Sequence, residues 1–185
     1  ISITVRVPFD VERIEDLVGY HDLQFSDGSL HEEVRQLAEQ VRRELQPYYV
    51  RPVPGLAEEE AYTVFCIESP VLSENGSRLN AEEWWHANRR AVASLLTQEP
   101  NIDHLSRQEA DESTGLYLSY YEHDLVVIDW DAALILDERD NFAQTLYILE
   151  LANLQLAELE AYDRILDEAL DRAYGAPDTL SAVLT

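Results

Sequence analysis

Two aspartates stand two positions apart in the most apolar part of this 185-residue sequence. Asp129 and Asp131 fall in a run from Leu125 to Leu136 whose alternation predicts a β-strand, and strand residues two apart share a face at about 6.5–7 Å. Carboxylates at that distance can share a hard divalent cation such as magnesium. If the strand bends there, Asp137 or His123 could join them, so these four residues form the candidate metal site.

Each of these residues also has a purely structural explanation, which for the aspartates is the one we favour. Asp129 and Asp131 would then face solvent at a bulge or accept hydrogen bonds from backbone amides. The dipeptide His-Asp occurs at His21-Asp22 and at His123-Asp124. Metal-dependent phosphohydrolases place such a dyad on a helix with further histidines, whereas His123-Asp124 lies in a predicted hairpin loop, so the dyads add little support for a metal site.

Few other residues suggest chemistry. Glu82 and His86 are four apart on a predicted helix, a spacing that zinc sites use, but without a further His or Cys we interpret them as a salt-bridged surface pair. Cys66, the only cysteine, falls in an apolar strand pattern and is interpreted as a small buried hydrophobe. Of Trp84 and Trp85, we expect one in the core and the other at a surface.

Glycine-based motifs are missing from the sequence. None of its six glycines belongs to a phosphate-binding loop, a dinucleotide fingerprint or a G-x-S-x-G motif. We therefore assign no catalytic and no cofactor-binding residues, and a divalent cation is the one cofactor that the sequence suggests. An enzyme is the less favoured interpretation.

The aspartates lie in the region with the strongest strand signals. Leu116 to Tyr121 is rich in leucine and aromatic residues, and the polar Glu122-His123-Asp124 that follows predicts a hairpin loop. The run Leu125 to Leu136 is longer than the usual strand of about five or six residues, so we predict one strand with a bend or bulge near Asp129 to Asp131. A further strand is predicted from Tyr62 to Ile67.

A long helix is predicted from Phe142 to Tyr174, ended by Gly175. At 1.5 Å per residue it would be about 50 Å long, whereas a compact domain of this size is roughly 40 Å across. The second half carries a narrow apolar stripe on a charged surface. The stripe consists of Tyr162, Ile165, Leu166, Ala169, Leu170 and Ala173. Such a stripe is typical of a helix that packs on a partner helix or on another domain.

Further elements are predicted earlier in the chain. Alternating residues from Ile1 to Val7 predict a half-buried strand, followed by a short helix near residues 10–18. Ser29 begins a capping box for a helix, and Asn80 and Ser106 begin two more.

The order of these elements predicts the fold class. The last strands have the pattern of hairpins, which favours an α+β fold over a doubly wound parallel sheet. We predict a mixed or antiparallel sheet with helices mainly on one face and a long C-terminal helix. The hydrophobic content of 46% is sufficient for a proper core. We expect a single domain over residues 1–185, from which the helix at 142–174 could extend.

The net charge of −24 excludes several partners. It repels phosphate backbones and anionic lipids, so we expect no binding to nucleic acid or to an acidic membrane surface. Cations and basic proteins remain as partners, although a solvated acidic surface is the simpler explanation. Glu150 interrupts the most apolar stretch, which leaves no segment for direct membrane insertion.

Two strings in the second half of the sequence carry a resemblance. They are DLVVIDWDAALILD, which begins at Asp124, and LYILELANLQLAELEAYDRILDEALDRAY, which begins at Leu146. Together they resemble an uncharacterised group of bacterial proteins in which a soluble α/β domain leads into a coiled coil and a C-terminal membrane anchor. The layout is more remotely similar to the family named for its requirement in meiotic nuclear division. The resemblance implies no known activity and transfers no functional residue, and Gly175-Ala176-Pro177 would interrupt a continuous stalk.

These observations predict a self-association or protein-interaction module that forms a homo-oligomer, or binds a protein partner, through the long helix. The alternative is a divalent-metal sensor or metal-dependent hydrolase that uses the acidic strand site. Because the sequence begins at Ile1 rather than methionine, we expect it to be part of a longer protein, which the resemblance implies to be bacterial and membrane-tethered. We expect a cytoplasmic location, or one at the inner face of the membrane through segments outside this chain.

Overall fold

The computed structural model of the chain describes residues 2–50, 60–73 and 75–175. They belong to two compact units, of which the first comprises Ile1–Pro52 and Ala61–Tyr147. The second comprises Val53–Glu60 and Ile148–Thr185. The sheet and the shorter helices all lie in the first unit, while most of the long helix belongs to the second.

Four strands form one sheet in the order β1-β4-β3-β2. They are β1 (Thr63–Glu68), β2 (Tyr117–Leu118), β3 (Leu125–Ile128) and β4 (Ala132–Asp137). β1 runs parallel to β4, whereas β3 is antiparallel to both β4 and β2. The predicted α+β fold with a mixed sheet is therefore confirmed.

The α-helices begin where the sequence predicts them, whereas the short helix predicted near residues 10–18 is a 3-10 helix that begins at Ile14. They are α1 (Leu30–Leu45), α2 (Ala81–Leu96), α3 (Arg107–Ser113) and α4 (Phe142–Gly175), with 3-10 helices at Ile14–Tyr20, Gln46–Tyr48 and Arg139–Asn141. The side chains of Ser29, Asn80 and Ser106 each accept a hydrogen bond from an amide in the first turn that follows, as N-cap residues do. Glu32 completes the capping box by accepting the Ser29 amide at 3.0 Å. Among the described helices, none has the length and hydropathy needed to cross a membrane.

The run from Leu125 to Leu136 is not one bent strand, which corrects the prediction. β3 and β4 form a hairpin closed by Asp129-Trp130-Asp131, in which the Asp129 amide donates to the Ala132 carbonyl at 2.9 Å. The turn contains two aspartates, which are common in turns, but no glycine, asparagine or proline, so the strongest hairpin signals are missing. The apolar pattern continues across it because every residue of β4 from Ala132 to Leu136 is buried, whichever face it is on.

Two other predicted strands are shortened or absent. Residues 2–8 have no regular secondary structure, and Val5 and Val7 are exposed, so the strand predicted from Ile1 to Val7 is wrong for the described residues. Between Leu116 and Tyr121, only two residues form a strand. Alternation alone does not produce a strand, because the backbone also needs a neighbour to complete its hydrogen bonds.

The main core lies between one face of the sheet and the helices α2 and Ile14–Tyr20. Its buried residues are Leu17, Phe65, Ala81, Trp84, Trp85, Val92, Leu95, Leu96, Leu125, Val127, Ala132, Leu134 and Leu136. Ala133 and Ile135, on the opposite face of β4, are also fully buried. Both Trp84 and Trp85 therefore belong to the core, and the expectation that one of them lies at a surface is wrong. The exposed tryptophan is Trp130, at 85%.

Arg89, on α2, forms an ion pair and a hydrogen bond with residues at the end of α3. Its guanidinium makes a 3.0 Å ion pair with Asp111 and donates from Nε to the Thr114 hydroxyl at 2.9 Å. The same group lies 5.1 Å from the ring centre of Trp85, within the range of a cation–π interaction. The ring of Trp85 in turn stacks on Tyr117 of β2 at 4.2 Å between centroids, so one arginine–tryptophan pair connects three elements.

Candidate functional site

The four residues of the candidate metal site are divided between the two ends of the sheet. Asp129 and Asp131 flank Trp130 in the β3–β4 turn. Asp137 ends β4, roughly 20 Å away along the strand at about 3.3 Å per residue. His123 lies in the β2–β3 loop, at the same end as Asp137, because Leu125 pairs with Leu136. Within the described residues, no three His, Cys, Asp or Glu side chains are placed to hold a metal ion together.

Asp137 has a structural role at its end of the sheet. Its Oδ1 accepts hydrogen bonds from the Glu138 amide at 2.7 Å and from the Asn141 side chain at 2.9 Å. These bonds hold the short turn between β4 and α4. The carboxylate thus stabilises the start of the long helix, as a side-chain cap does.

The β3–β4 turn is fastened to the start of β1 by Tyr62 and Thr63. The Tyr62 hydroxyl lies 3.1 Å from the carbonyl oxygens of both Asp129 and Ala132 and donates to them. The Thr63 amide donates to the Asp131 carbonyl at 3.1 Å. Burial, together with the charges of Asp129 and Asp131, raises the pKa of Tyr62 to about 12. The phenol therefore stays neutral and acts as a hydrogen-bond donor that closes the turn.

His21 is brought to the same end of the sheet as Asp131. It is buried, its Nε2–H donates to the Leu95 carbonyl at 2.7 Å, and its ring meets Phe65 edge-on. Burial lowers the pKa of His21, and this outweighs the Leu95 hydrogen bond and the negative charge of Asp131, which both raise it. The two residues are 110 positions apart, so no local spacing could have revealed their proximity.

The His-Asp dyad at residues 21 and 22 does not act as a unit. His21 faces the core, whereas the Asp22 carboxylate accepts from the amide of His31 at 3.2 Å and lies 3.8 Å from the His31 ring. The end of the sheet near Asp131 thus combines an imidazole and a phenol that both donate to backbone carbonyls. This arrangement serves to hold the fold together.

The stability of the protein should depend on the protonation of His21. Its pKa is lowered in the folded state, so as the pH falls below about 6.5 the unfolded chain binds a proton that the folded chain does not. The free energy of unfolding then falls with pH, by up to about 1.4 kcal/mol per pH unit. We expect His21→Gln, which keeps a donor for the Leu95 carbonyl, to show a shallower fall. Urea unfolding between pH 7.5 and 5.5 measures the difference, and parallel slopes would contradict it.

The metal hypothesis can be tested at the β3–β4 turn. A specific site filled at about 100 times its dissociation constant adds about 2.7 kcal/mol, or roughly 5–10 °C in Tm for a chain of this length. Since each end of the sheet brings together only two of the four candidate residues, we expect small and equal shifts from magnesium, manganese, calcium and zinc at fixed ionic strength. A large shift from one ion, lost in the Asp129→Asn/Asp131→Asn variant, would instead establish a metal site there.

The remaining sequence candidates are structural. Glu82 and His86 lie 3.9 Å apart on the exposed face of α2, which confirms the interpretation as a surface pair. Cys66 is half-buried rather than fully buried, and burial raises the pKa of its thiol to about 11. The thiol therefore stays protonated and unreactive at neutral pH.

A second candidate surface lies on α4. From Ile148 to Ala173, residues spaced alternately four and three apart fall on one side of the helix. We call these eight residues the α4 seam: Ile148, Ala152, Gln155, Leu159, Tyr162, Leu166, Ala169 and Ala173. All but Gln155 are apolar or aromatic, and the four largest of those are 57–60% exposed. In the stripe predicted from sequence, Ile165 is half-buried and the other residues are exposed.

One curated relative is similar to part of this chain. It is the Methanocaldococcus jannaschii protein named Uncharacterized protein MJ0711, which is 26% identical over 111 residues. The similarity covers 60% of this chain but 31% of the relative, so the chain spans less than a third of that protein's length. No solved structure is significantly similar to the chain.

A family model matches most of this chain and nearly all of its first unit. The model described as Uncharacterized protein MJ0711, N-terminal domain, matches residues 1–143. It ends close to the boundary between the two units at Tyr147 and Ile148, so the α4 seam lies beyond the matched domain. Since the match includes 143 of the 185 residues, this chain belongs to the family of MJ0711 N-terminal domains.

Proposed function

We propose that this chain is a self-association or protein-interaction module whose contact surface is the α4 seam. The observation that carries the proposal is the exposure of the large apolar residues of the seam, which recur from Ile148 to Leu166 along about 27 Å of helix at 1.5 Å per residue. Soluble proteins rarely expose an apolar stripe of this length unless it is a contact surface. Alternate spacings of three and four residues are those of helices that pair along a seam.

The position of the seam in the chain supports the same proposal. It follows the family domain and belongs to a different compact unit. Most helical stability in proteins comes from packing an apolar face rather than from the sequence of the helix alone. The seam residues are the face that a partner would cover.

The proposal extends to the longer protein. We infer that the chain acts in the cytoplasm as part of a larger protein, with any attachment to a membrane made by segments outside this chain. The low cysteine content is compatible with a reducing compartment. The net charge of −24 makes nucleic acid an unsuitable partner, because phosphates would be repelled.

Light scattering tests whether the seam is a contact surface. Two copies of this acidic chain repel each other at low ionic strength, so we expect the mass to rise above that of a monomer as protein concentration and salt are increased. Leu159→Asp should weaken this association at least about tenfold, because it places a charge where a leucine would be buried.

Ala157→Asp is the matched control. It adds the same charge two residues away, on the opposite side of α4, and should leave the association unchanged. A strict monomer up to 1 M salt would count against the seam as a contact surface, provided that hydrogen exchange also showed residues 148–173 to be protected within the monomer.

A further inference from the structure

We infer that the partner of the α4 seam is a basic amphipathic helix of another protein, with Lys or Arg beside its apolar stripe, rather than a second copy of this chain. The inference rests on the proposed function and concerns the charges beside the seam. In paired helices, the positions flanking the seam carry the ion pairs that select the partner and its orientation.

Charged residues are few at these flanking positions, and most are acidic. The flanking residues are Leu149, Leu151, Leu156, Glu158, Asp163, Ile165, Leu170 and Arg172. Arg172 is engaged within its own helix, where it donates from Nε to the Glu168 carbonyl at 3.0 Å and lies 4.0 Å from the Glu168 carboxylate. Glu158 and Asp163 are thus the charges that the centre of the seam offers to a partner.

A second copy of the chain does not complement these charges. In a parallel, in-register pair, Glu158 of one copy would face Asp163 of the other, which sets two carboxylates together on each side of the seam. In a fully overlapping antiparallel pair, the same residues would face Ile165 and Leu156, which offer no cation. Neither orientation provides an ion pair for the two acidic residues.

The net charges of α4 and of the whole chain also favour a basic partner over a second copy of this chain. Residues 148–175 contain seven carboxylates and two arginines, a net charge of −5, and the whole chain carries −24. Two copies would therefore repel each other during their approach, whereas a basic helix would be attracted. A Lys or Arg opposite Glu158 and another opposite Asp163 would then fix the register of the pair.

Two synthetic peptides of 28 residues test this inference. Both carry leucine and isoleucine at the seam positions, and they differ only in having Lys or Glu at the flanking positions. By fluorescence anisotropy, we expect the Lys peptide to bind about tenfold more tightly than the Glu peptide at low salt. The ratio should fall towards one at 1 M salt, where the charges are screened.

Three variants separate a specific contact from general attraction to an acidic protein. Leu159→Asp makes the chain more acidic, so general attraction would strengthen binding of the Lys peptide, whereas a seam contact would be lost. Glu158→Gln/Asp163→Asn should reduce the preference for Lys over Glu. Glu160→Gln/Asp171→Asn removes the same charge from the other side of α4 and should leave the preference intact.

Zero-length coupling of carboxylates to amines locates the contact directly. The thirteen basic residues of this chain are all arginines, so its own side chains cannot couple to each other through an amine. Amide links to the Lys peptide should therefore map to Glu158 and Asp163. Links scattered over other carboxylates, or stronger binding by Leu159→Asp, would overturn the inference.

The outcomes distinguish this inference from the proposed function. Equal binding of the Lys and Glu peptides, lost in Leu159→Asp, would leave the seam as a contact surface but remove the basic partner. Self-association at low salt that is tighter than binding of the Lys peptide would identify the second copy as the partner. If neither peptide binds and the chain does not self-associate, the proposal that the α4 seam is a contact surface would itself be rejected.

Discussion

Trp85→Ala is expected to lower the free energy of unfolding by about 3–5 kcal/mol, the usual cost of removing a large aromatic side chain from a core. Trp85 is 3% exposed and packs between Tyr117 and the Arg89 guanidinium. Truncation would leave a cavity and separate the contacts that join α2 to β2. Because natural domains are stable by only about 5–15 kcal/mol, the variant should be close to unfolding at 37 °C.

The matched control for this prediction is Trp130→Ala. Trp130 lies at the tip of the β3–β4 turn and is largely exposed, so the same substitution should change the free energy of unfolding by less than about 0.5 kcal/mol. Trp85→Phe should cost much less than Trp85→Ala, since among the described residues Trp85 Nε1 has no hydrogen-bond partner to lose. Urea unfolding followed by circular dichroism measures all three, and equal effects of Trp85→Ala and Trp130→Ala would contradict the packing described.

Leu134→Ala and Ile135→Ala should each lower the free energy of unfolding by about 2–5 kcal/mol. The two residues are neighbours in β4 and point to opposite faces of the sheet. Both are fully buried, because β4 is central in the sheet and covered on both faces. If one face were open to water, one of the two substitutions would be nearly neutral.

Leu118→Ala provides the control on the edge strand β2. The Leu118 side chain is 60% exposed, so its truncation should cost less than about 1 kcal/mol. Thermal unfolding would show the core variants about 5–20 °C below the control. A small effect of Ile135→Ala alone would mean that the second face of the sheet is less well packed than its burial indicates.

Helix boundaries were predictable from this sequence because they depend on local chemistry. Three helices begin at an N-cap residue whose side-chain oxygen accepts a hydrogen bond from a free amide of the first turn: Ser29, Asn80 and Ser106. The length of α4 was predictable for a similar reason, since its periodicity persists and Gly175 follows the last periodic residue.

Strand boundaries were less predictable because they depend on neighbours. The apolar run through β3 and β4 has the pattern of one long strand. The residues that interrupt it, Asp129-Trp130-Asp131, include aspartate as a turn former but no glycine, asparagine or proline. The parallel pairing of β1 with β4 is likewise absent from any local pattern, since Phe65 and Leu134 meet only in the folded chain. The four residues of the candidate metal site are close in sequence, but the hairpin places Asp137 and His123 at the other end of the sheet from Asp129 and Asp131.

Strand order also determines when each part of the sheet can form. β3 and β4 are joined by a short turn, and a hairpin of this kind closes in about 1–10 μs. β1 meets β4 only after Thr63 and Ala132, 69 positions apart, have been brought together, and such long-range pairing is intrinsically slow. During synthesis, β1 leaves the ribosome well before β4, the strand with which it pairs. Until that slow pairing is complete, β4, which is apolar on both faces, has one edge without a neighbouring strand. An unpaired apolar edge of this kind is prone to aggregation before folding is complete.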